Sequence, residues 1–496
     1  MTPSKQQAAF YDFIINGTGS CVLEAVAGAG KTTTLVEALK LMNGDVFFGA
    51  YNKAIAQEIK ERVPAGIAAK VDVSTFHAAG FRFFRRVAKN VVVDANKVRN
   101  IFRDEFEGFK AFESATLSLV SLAKQAGIGI KGLRADADAE WIALVEHFSI
   151  EVPVVEGEER LDTLVKLARK TLEISVSLDM EVVDFDDMIY SPLRHNVRVW
   201  AHDWVLVDEA QDTNATRRAL ALKMLKKTGR LIAVGDPRQA IYGFTGADAD
   251  SLDLIAQATN ACRMPLTVTY RCPKAVVAYA QQWVSHIIPH ETAPEGEVLH
   301  SEIDALASTA VPGDAVLCRF NAPLVANVYA FIANGVPAKI EGRDIADGLK
   351  KLAMRWKIDS LATLELRLEQ YLQRETAKLI AADKEGQVAL VEDKVECLRV
   401  LINRVRSLDR SATVANLLAE IDRIFGAEGA ARDVVTFSSI HKSKGREWHR
   451  VVWLTTGPSP YARKDWELGQ ESNLCYVAAT RAKSTLVLMP APTKRK

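Results

Sequence analysis

Asp208-Glu209-Ala210-Gln211-Asp212-Thr213-Asn214 follows the apolar run Trp204 to Val207, and Gly30-Lys31-Thr32 stands far upstream in the same chain. A short, continuous apolar run reads as a buried parallel strand, and acids just past its C-terminal end sit where phosphate ligands bind in open α/β sheets. Asp208 there can hold a magnesium ion, directly or through water, while Glu209 can orient and deprotonate an attacking water. Both roles need carboxylates a few ångströms apart. Alone, the pair reads as an acidic helix cap. Behind a phosphate loop it reads as the acidic half of a nucleoside-triphosphate hydrolysis site.

The loop itself is Ala25-Val26-Ala27-Gly28-Ala29-Gly30-Lys31-Thr32, with alanine where the first glycine is usual. The small residues Ala27, Gly28, Ala29 and Gly30 let backbone N–H groups turn onto a β-phosphate at a helix N-terminus. Lys31 neutralises the β and γ oxygens, the Thr32 hydroxyl ligates magnesium, and Thr33 opens the helix. A strand is predicted over Cys21 to Ala25 and a helix over Thr33 to Met42. Val46-Phe47-Phe48, Trp204 to Val207 and Leu231 to Val234 alternate with helical stretches, the pattern of a parallel sheet covered on both faces. A second set, Ala315 to Cys318, Val434 to Phe437, Val451 to Leu454 and Thr485 to Met489, predicts a second α/β core.

At 496 residues the chain exceeds a single typical core. Its formal charge of +1 says nothing in bulk about a polyanionic partner, so any nucleic-acid site must be local. The six cysteines, Cys21, Cys262, Cys272, Cys318, Cys397 and Cys475, lack CxxC spacing and histidine companions. Neither a disulfide framework nor a zinc site is indicated, and a reducing, intracellular (cytoplasmic) compartment is expected. No leader-like apolar segment and no membrane-spanning run is found, so a soluble protein is expected.

Two stretches within and between the cores read as helical insertions. Residues 90–179 carry Val98, Ile101, Phe102 and later Leu161, Leu164, Leu167 at helical spacing. Residues 346–431 carry Val391, Val395, Leu398, Ile402 and Val405 on a three-four repeat, whose length suits intramolecular packing over a coiled coil, then Leu417, Leu418, Ile421, Ile424 and Phe425.

From Gln6 to Arg481 the ordered motifs resemble superfamily 1 helicases of the UvrD/Rep type. Ala50 to Ala56 and His441 to Trp448 look closest to the F-box DNA helicases and their compact phage and bacterial relatives, without an F-box segment. The resemblance implies two RecA-like P-loop domains with parallel sheets, each carrying a mainly helical insertion. Core 1A is expected over 1–89 plus 180–265, accessory part 1B over 90–179, core 2A over 266–345 plus 432–496, and a small part 2B over 346–431.

Residue by residue, Lys5-Gln6 is similar to the family's Q motif, with Gln6 reading the adenine edge. Gly235 to Phe244 resembles motif III, in which Gln239 senses the γ-phosphate and Tyr242 and Phe244 offer faces to unstacked bases; Phe244-Thr245 stands where Trp-Arg is common. Tyr270 is expected to stack on adenine. Arg271 and Arg481 are expected to reach the γ-phosphate from the second core, closing the cores on ATP and stabilising transition-state charge. Gly445 is expected to permit close backbone approach and Glu447 to accept from the ribose hydroxyl. The implied nucleic-acid track comprises Tyr51, Asn52, Lys53, Phe76 and His77, with Arg319, Asn321, Ser439 and His441 in the second core. Phe185-Asp186-Asp187 is expected to contribute to it as well, but the two aspartates read better as helix caps than as phosphate ligands.

These features lead to an expected monomeric ATP- and Mg2+-dependent motor on single-stranded DNA and single/double-strand junctions, stepping 3′ to 5′ and unwinding duplex, with recombination or replication proteins as possible partners. A translocase that strips proteins from single strands needs the same motor. A small-molecule kinase or GTPase switch fits Lys31 and Asp208 but leaves Arg271, Arg481 and the second core unexplained. No nuclease signature follows Arg481, so a fused helicase-nuclease is not expected.

Overall fold

The apolar runs become strands of two wholly parallel sheets, and the stretches between them become the helices that cover those sheets. A computed structural model describes residues 3–88, 90–148, 150–155, 157–177, 181–243, 246, 248, 250–334, 336–381, 387–425, 434–456 and 465–491. The chain divides into two compact units, residues 1–26 with 30–266 and residues 27–29 with 267–496.

The first unit opens with α1 (Lys5–Asn16), started by a reciprocal cap: the Ser4 hydroxyl accepts from the Gln7 backbone, and the Gln7 side chain accepts from the Ser4 backbone. Then come β1 (Cys21–Ala25), α2 (Lys31–Leu39), β2 (Val46–Ala50), α3 (Lys53–Arg62), β3 (Val71–Thr75) and α4 (Phe76–Phe84). Helix α2 begins two residues before the predicted start and ends three before the predicted end, because Gly30 is its cap. Gly28 and Gly30 hold φ of 72° and 75°, left-handed values that a side chain disfavours.

The first insertion supplies α5 (Lys97–Glu105), α6 (Glu113–Ala126), α7 (Asp138–His147) and α8 (Leu161–Ser175). The chain then returns through α9 (Asp187–Arg194), β4 (His202–Val207), α10 (Ala215–Lys223), β5 (Leu225–Gly235), α11 (Ser251–Thr259) and β6 (Cys262–Leu266). The six strands run in the order β6-β1-β5-β4-β2-β3. One apolar cluster joins sheet residues Phe47, Val205 and Leu231 to Phe102, Leu119, Trp141 and Leu164 of the insertion. The insertion, expected to be mainly helical, also contains a short antiparallel strand pair, Val154–Val155 with Glu158–Glu159, and its Val92–Val93 runs parallel to Val182–Val183 of the returning chain.

The second unit contains α12 (Lys274–Ala280), β7 (Glu297–His300), β8 (Ala315–Cys318), α13 (Ala322–Ala333) and β9 (Ala338–Ile340). Its insertion is α14 (Arg343–Met354), α15 (Leu361–Ala381), α16 (Val388–Leu408) and α17 (Val414–Phe425), followed by β10 (Val435–Ser439), β11 (Trp448–Thr455), α18 (Asp465–Ala479) and β12 (Ala482–Pro490). The sheet order is β7-β12-β11-β8-β10-β9, again all parallel. The stripe Val395, Leu398, Ile402 and Val405 packs into this unit's own core with Val316 and Phe437, as its length suggested.

Candidate functional site

In the first unit, parallel strands deliver their C-terminal ends to one edge, and the candidate phosphate-site residues follow three of them. Lys31 comes after β1, Asp208 and Glu209 after β4, and Asp236 after β5, whose neighbours in the sheet are β1 and β4. Lys31 Nζ lies 2.9 Å from a Glu209 carboxylate oxygen. Burial draws the Lys31 ammonium down, but the Glu209, Asp236 and Asp208 carboxylates outweigh it and hold it above the ordinary lysine value. Burial, then the neighbouring Glu209 charge, pushes the Asp208 carboxyl up to about 7. Glu209 sits at φ 50°, an uncommon value for a residue with a side chain.

Two residues absent from the sequence-derived set complete a network here. Gln211 donates to Glu209 Oε2 at 2.5 Å and accepts from the Asp236 backbone at 3.1 Å. Gln239 in turn donates to Asp236 Oδ2 at 2.7 Å, from a single 3-10 turn just past β5. Asp236 had a visible signal, since it stands after an apolar run and a glycine much as Asp208 stands after Val207. Gln211 had none beyond its place in the acidic stretch.

Gln6 is half-buried on α1. Its neighbour Gln7 is the buried one, donating to the Thr34 hydroxyl at 2.9 Å, which itself donates to the Gly30 carbonyl. Thr32 is half-buried, and Thr33 is exposed and accepts from Arg62.

The nucleic-acid candidates of this unit divide. Tyr51 and Tyr242 lie nearly parallel, ring centroids 6.5 Å apart at 15°. His77 shares a pocket with Tyr51 and Arg217, and burial followed by the Arg217 charge lowers its imidazole to about 4, so it is neutral at neutral pH. Asn52 spends its side-chain carbonyl capping α3, accepting from Ile55 at 2.9 Å, while Lys53 is exposed. Phe76 lines the same pocket but is only 6% exposed, and its ring reaches within 2.6 Å of where a Cβ on Gly49 would stand. That ring belongs to the core, because the missing side chain at Gly49 opens the space it fills. Phe244 lies outside the described residues.

The helix-cap reading of Asp186 and Asp187 also needs correction. Asp186 caps nothing with its side chain and instead accepts from Ser121. The reciprocal pair is Asp184 and Asp187, each carboxylate accepting the other's backbone N–H at 2.7 and 3.0 Å. Asp187 is fully buried and ion-paired to Lys97 at 2.6 Å and Lys124 at 2.7 Å.

In the second unit Arg271 Nε bonds Glu447 at 2.6 Å, and Lys483 holds the other Glu447 oxygen at 3.1 Å. Arg481 is 1% exposed, its guanidinium donating to the Val477 and Arg446 carbonyls. Tyr270 is partly exposed beside His290, and Gly445 is exposed at φ 83°. Arg319 and Asn321 follow β8, Ser439 ends β10 and His441 follows it; Cys318 and Ser439 are in register on these neighbouring strands. Burial, then the Arg319 and Lys444 charges, lowers His441 to about 3. Arg319 is held by Glu471 through Nε and Nη2 at 2.8 to 3.2 Å. Asn321 donates its amide to Asp393, while its buried amide oxygen has no hydrogen-bond partner among the described residues. One of the two Asn321 amide hydrogens therefore serves its own turn, through Asp393.

Residues 3–260 match the family model described as the UvrD/REP helicase N-terminal domain, and residues 351–492 match the UvrD-like helicase C-terminal domain. Among curated relatives, the ATP-dependent DNA helicase PcrA of Staphylococcus aureus is 26% identical over 309 residues, covering 56% of this chain and 39% of the relative. The same enzyme of Staphylococcus epidermidis is 26% identical over 309 residues with the same coverage. The matched stretch thus spans well under two thirds of those relatives. Among the described residues, no helix is long and apolar enough to cross a membrane.

Proposed function

The chain belongs to the UvrD/REP helicase family, and on that premise we propose that it is an ATP-dependent DNA helicase, moving 3′ to 5′ on single-stranded DNA and unwinding duplex. The observation that carries this reading is the buried meeting of Lys31 with Asp208, Glu209 and Asp236 behind a phosphate loop. Lys31, paired with Glu209 here, is the natural partner of β and γ phosphate oxygens. Taking Lys31 onto phosphate frees the Glu209 carboxylate to orient and deprotonate water. Gln239 reports on the same phosphate through Asp236 and Gln211, a continuous hydrogen-bonded path. To Arg271 and Arg481 we assign stabilisation of charge on the transferred phosphoryl group, and to Gln6, Tyr270 and Glu447 the adenine and ribose contacts.

Two buried carboxylates, Asp208 and Asp236, and the half-buried Glu209 surround one lysine, a setting that suits magnesium, with Asp208 and Thr32 as its protein oxygens. Among the described residues no group of three or more His, Cys, Asp or Glu is set to hold a metal unaided, and magnesium at such sites takes much of its coordination from water and phosphate. When bound, the ion offsets charge on the phosphate oxygens.

The proposed strand track uses Tyr51, Lys53, His77 and Tyr242 in the first unit and Arg319, Ser439 and His441 in the second. Stacking on aromatic faces tolerates any base. The proposed working form is an intracellular monomer, possible partners being recombination or replication proteins, and its parts are 1–89 with 180–265, 90–179, 266–345 with 432–496, and 346–431. Strand displacement on duplexes carrying only a 3′ or only a 5′ tail, with Lys31→Ala as blank, tests the reading. Unwinding confined to the 3′-tailed duplex is expected. ATP turnover stimulated by single strands without unwinding of either duplex would replace helicase by protein-stripping translocase.

A further inference from the structure

The helical insertion of the second unit reaches into the turn that carries Arg319 and Asn321. Asp393, on α16, is 8% exposed and accepts three hydrogen bonds from that turn: the Asn321 backbone N–H at 3.0 Å, the Ala322 backbone N–H at 2.7 Å and the Asn321 side-chain amide at 2.9 Å. The two backbone donors stand at the start of α13, where N–H groups have no partner within the helix. Asn321, the residue in the cap position, has helical dihedrals and makes no side-chain cap. A carboxylate from another helix therefore does the capping, and its charge suits the positive end of the helix dipole.

Arg319, two residues earlier, is fixed from the other side by Glu471 on α18 and lies over the Phe320 ring at 5.1 Å. Glu471 takes the Nε and Nη2 edge, so the Nη1 group has no hydrogen-bond partner among the described residues and keeps two donors. The guanidinium is aimed by Glu471, and the backbone that carries it is anchored by Asp393.

We propose that Asp393 is a positioning residue for strand binding: it holds the Arg319–Asn321 turn so that the outward edge of Arg319 meets a backbone phosphate. The insertion 346–431 thereby acts directly on the grip of the second unit. This rests on the reading of the chain as a single-strand-binding motor.

The test is binding of a fluorescent oligothymidylate to the whole chain over a range of salt concentrations, for the unmodified protein, Asp393→Asn, Arg319→Ala and the double variant. Each phosphate contact contributes about 0.7 to the slope of log affinity against log salt on single strands. Asp393→Asn is expected to weaken binding roughly tenfold, as loss of one charge-assisted contact does, and to flatten the slope by about 0.7. In the Arg319→Ala background the same substitution should change the slope no further. A purely structural cap would lower melting temperature with the slope kept, or add its loss equally in both backgrounds, and either result overturns the proposal. Should Asp393→Asn fail to fold, Asn321→Ala cuts the side-chain link while leaving the backbone caps. A slope equal to the unmodified protein's would then be equally fatal. Failure of the unmodified chain to bind the oligonucleotide removes the functional reading and this one with it.

Discussion

The proposed phosphate site of Lys31, Asp208, Glu209 and Asp236 works against its own fold, because it buries carboxylates together. The Asp208 carboxyl rises from the ordinary 3.8 to about 7, chiefly through burial and then through Glu209. Between those values the folded chain holds a proton that the unfolded chain has released, so stability falls as pH rises from about 4 to about 7 and the full penalty stands above it. Asp208→Asn is expected to raise the melting temperature above neutral pH by a few degrees, about 2–4 °C for each kcal/mol relieved, and to abolish ATP turnover. Melting curves across pH check this; a gain that persists below about pH 4 would exclude the electrostatic cause. For Arg271→Ala, turnover should drop by roughly 10³ while ATP affinity stays near that of the unmodified chain, the pattern of a group acting on transition-state charge. Equal losses in single-turnover rate and in ATP binding would assign Arg271 to ground-state binding through its Glu447 pair. Lys31, Asp208 and Glu209 were legible because strand ends and a glycine-rich loop mark them. Gln211 was not, because its two bonds join residues from different strands, and the burial of Phe76 was not, because the space its ring fills is opened by the absent side chain of Gly49.

The element that anchors the first insertion is a pair of lysines no pattern would bury. Lys97 on α5 and Lys124 on α6 are 3% and 1% exposed, and they meet Asp184 and Asp187 at the start of α9 at 2.6 to 2.7 Å. Ser175, at the end of α8, accepts from both lysines. Four helices are thus tied at one point, with two positive and two negative charges. Removing one partner leaves a buried charge uncompensated, so Asp187→Asn should cost about 3–5 kcal/mol. Replacing Lys97 by methionine together with Asp187→Asn should recover part of that loss, and urea unfolding of the single and double variants measures it. Additive losses would mean that Lys97 and Asp187 act independently. On sequence alone both lysines fall among charged helical residues and read as solvated; only the approach of α9 to α5 and α6 makes them interior. Helical spacing did expose the apolar side of the same helices, since Ile101, Phe102, Leu164 and Leu167 are buried as their positions imply.

For the whole molecule, the two sheets were readable because buried parallel strands are short apolar runs, and each run became a strand; the order of the strands was not, since it depends on which runs pair. How far the insertions merge with the sheets was not, since a helical stripe shows that a face is covered but not by what. In the second unit Leu349, Leu364, Leu398, Leu417 and Ile421 from the four insertion helices share one apolar cluster with Val316 and Phe437 of the sheet. Asp393 adds a polar tie from α16 to the start of α13. A detachable appendage would leave the sheet's own core closed; here the insertion supplies part of the lid over it. Replacing residues 346–431 with a short linker should therefore expose several fully apolar side chains, each worth about 1.5–3 kcal/mol when buried, which together exceed the margin of a typical domain. The expected product is a second unit without a cooperative melting transition and rapidly cleaved by protease, beside a first unit that still melts. A shortened chain that keeps two transitions and normal strand displacement would show the insertion to be dispensable to the fold, and the proposed role of Asp393 would fall with it.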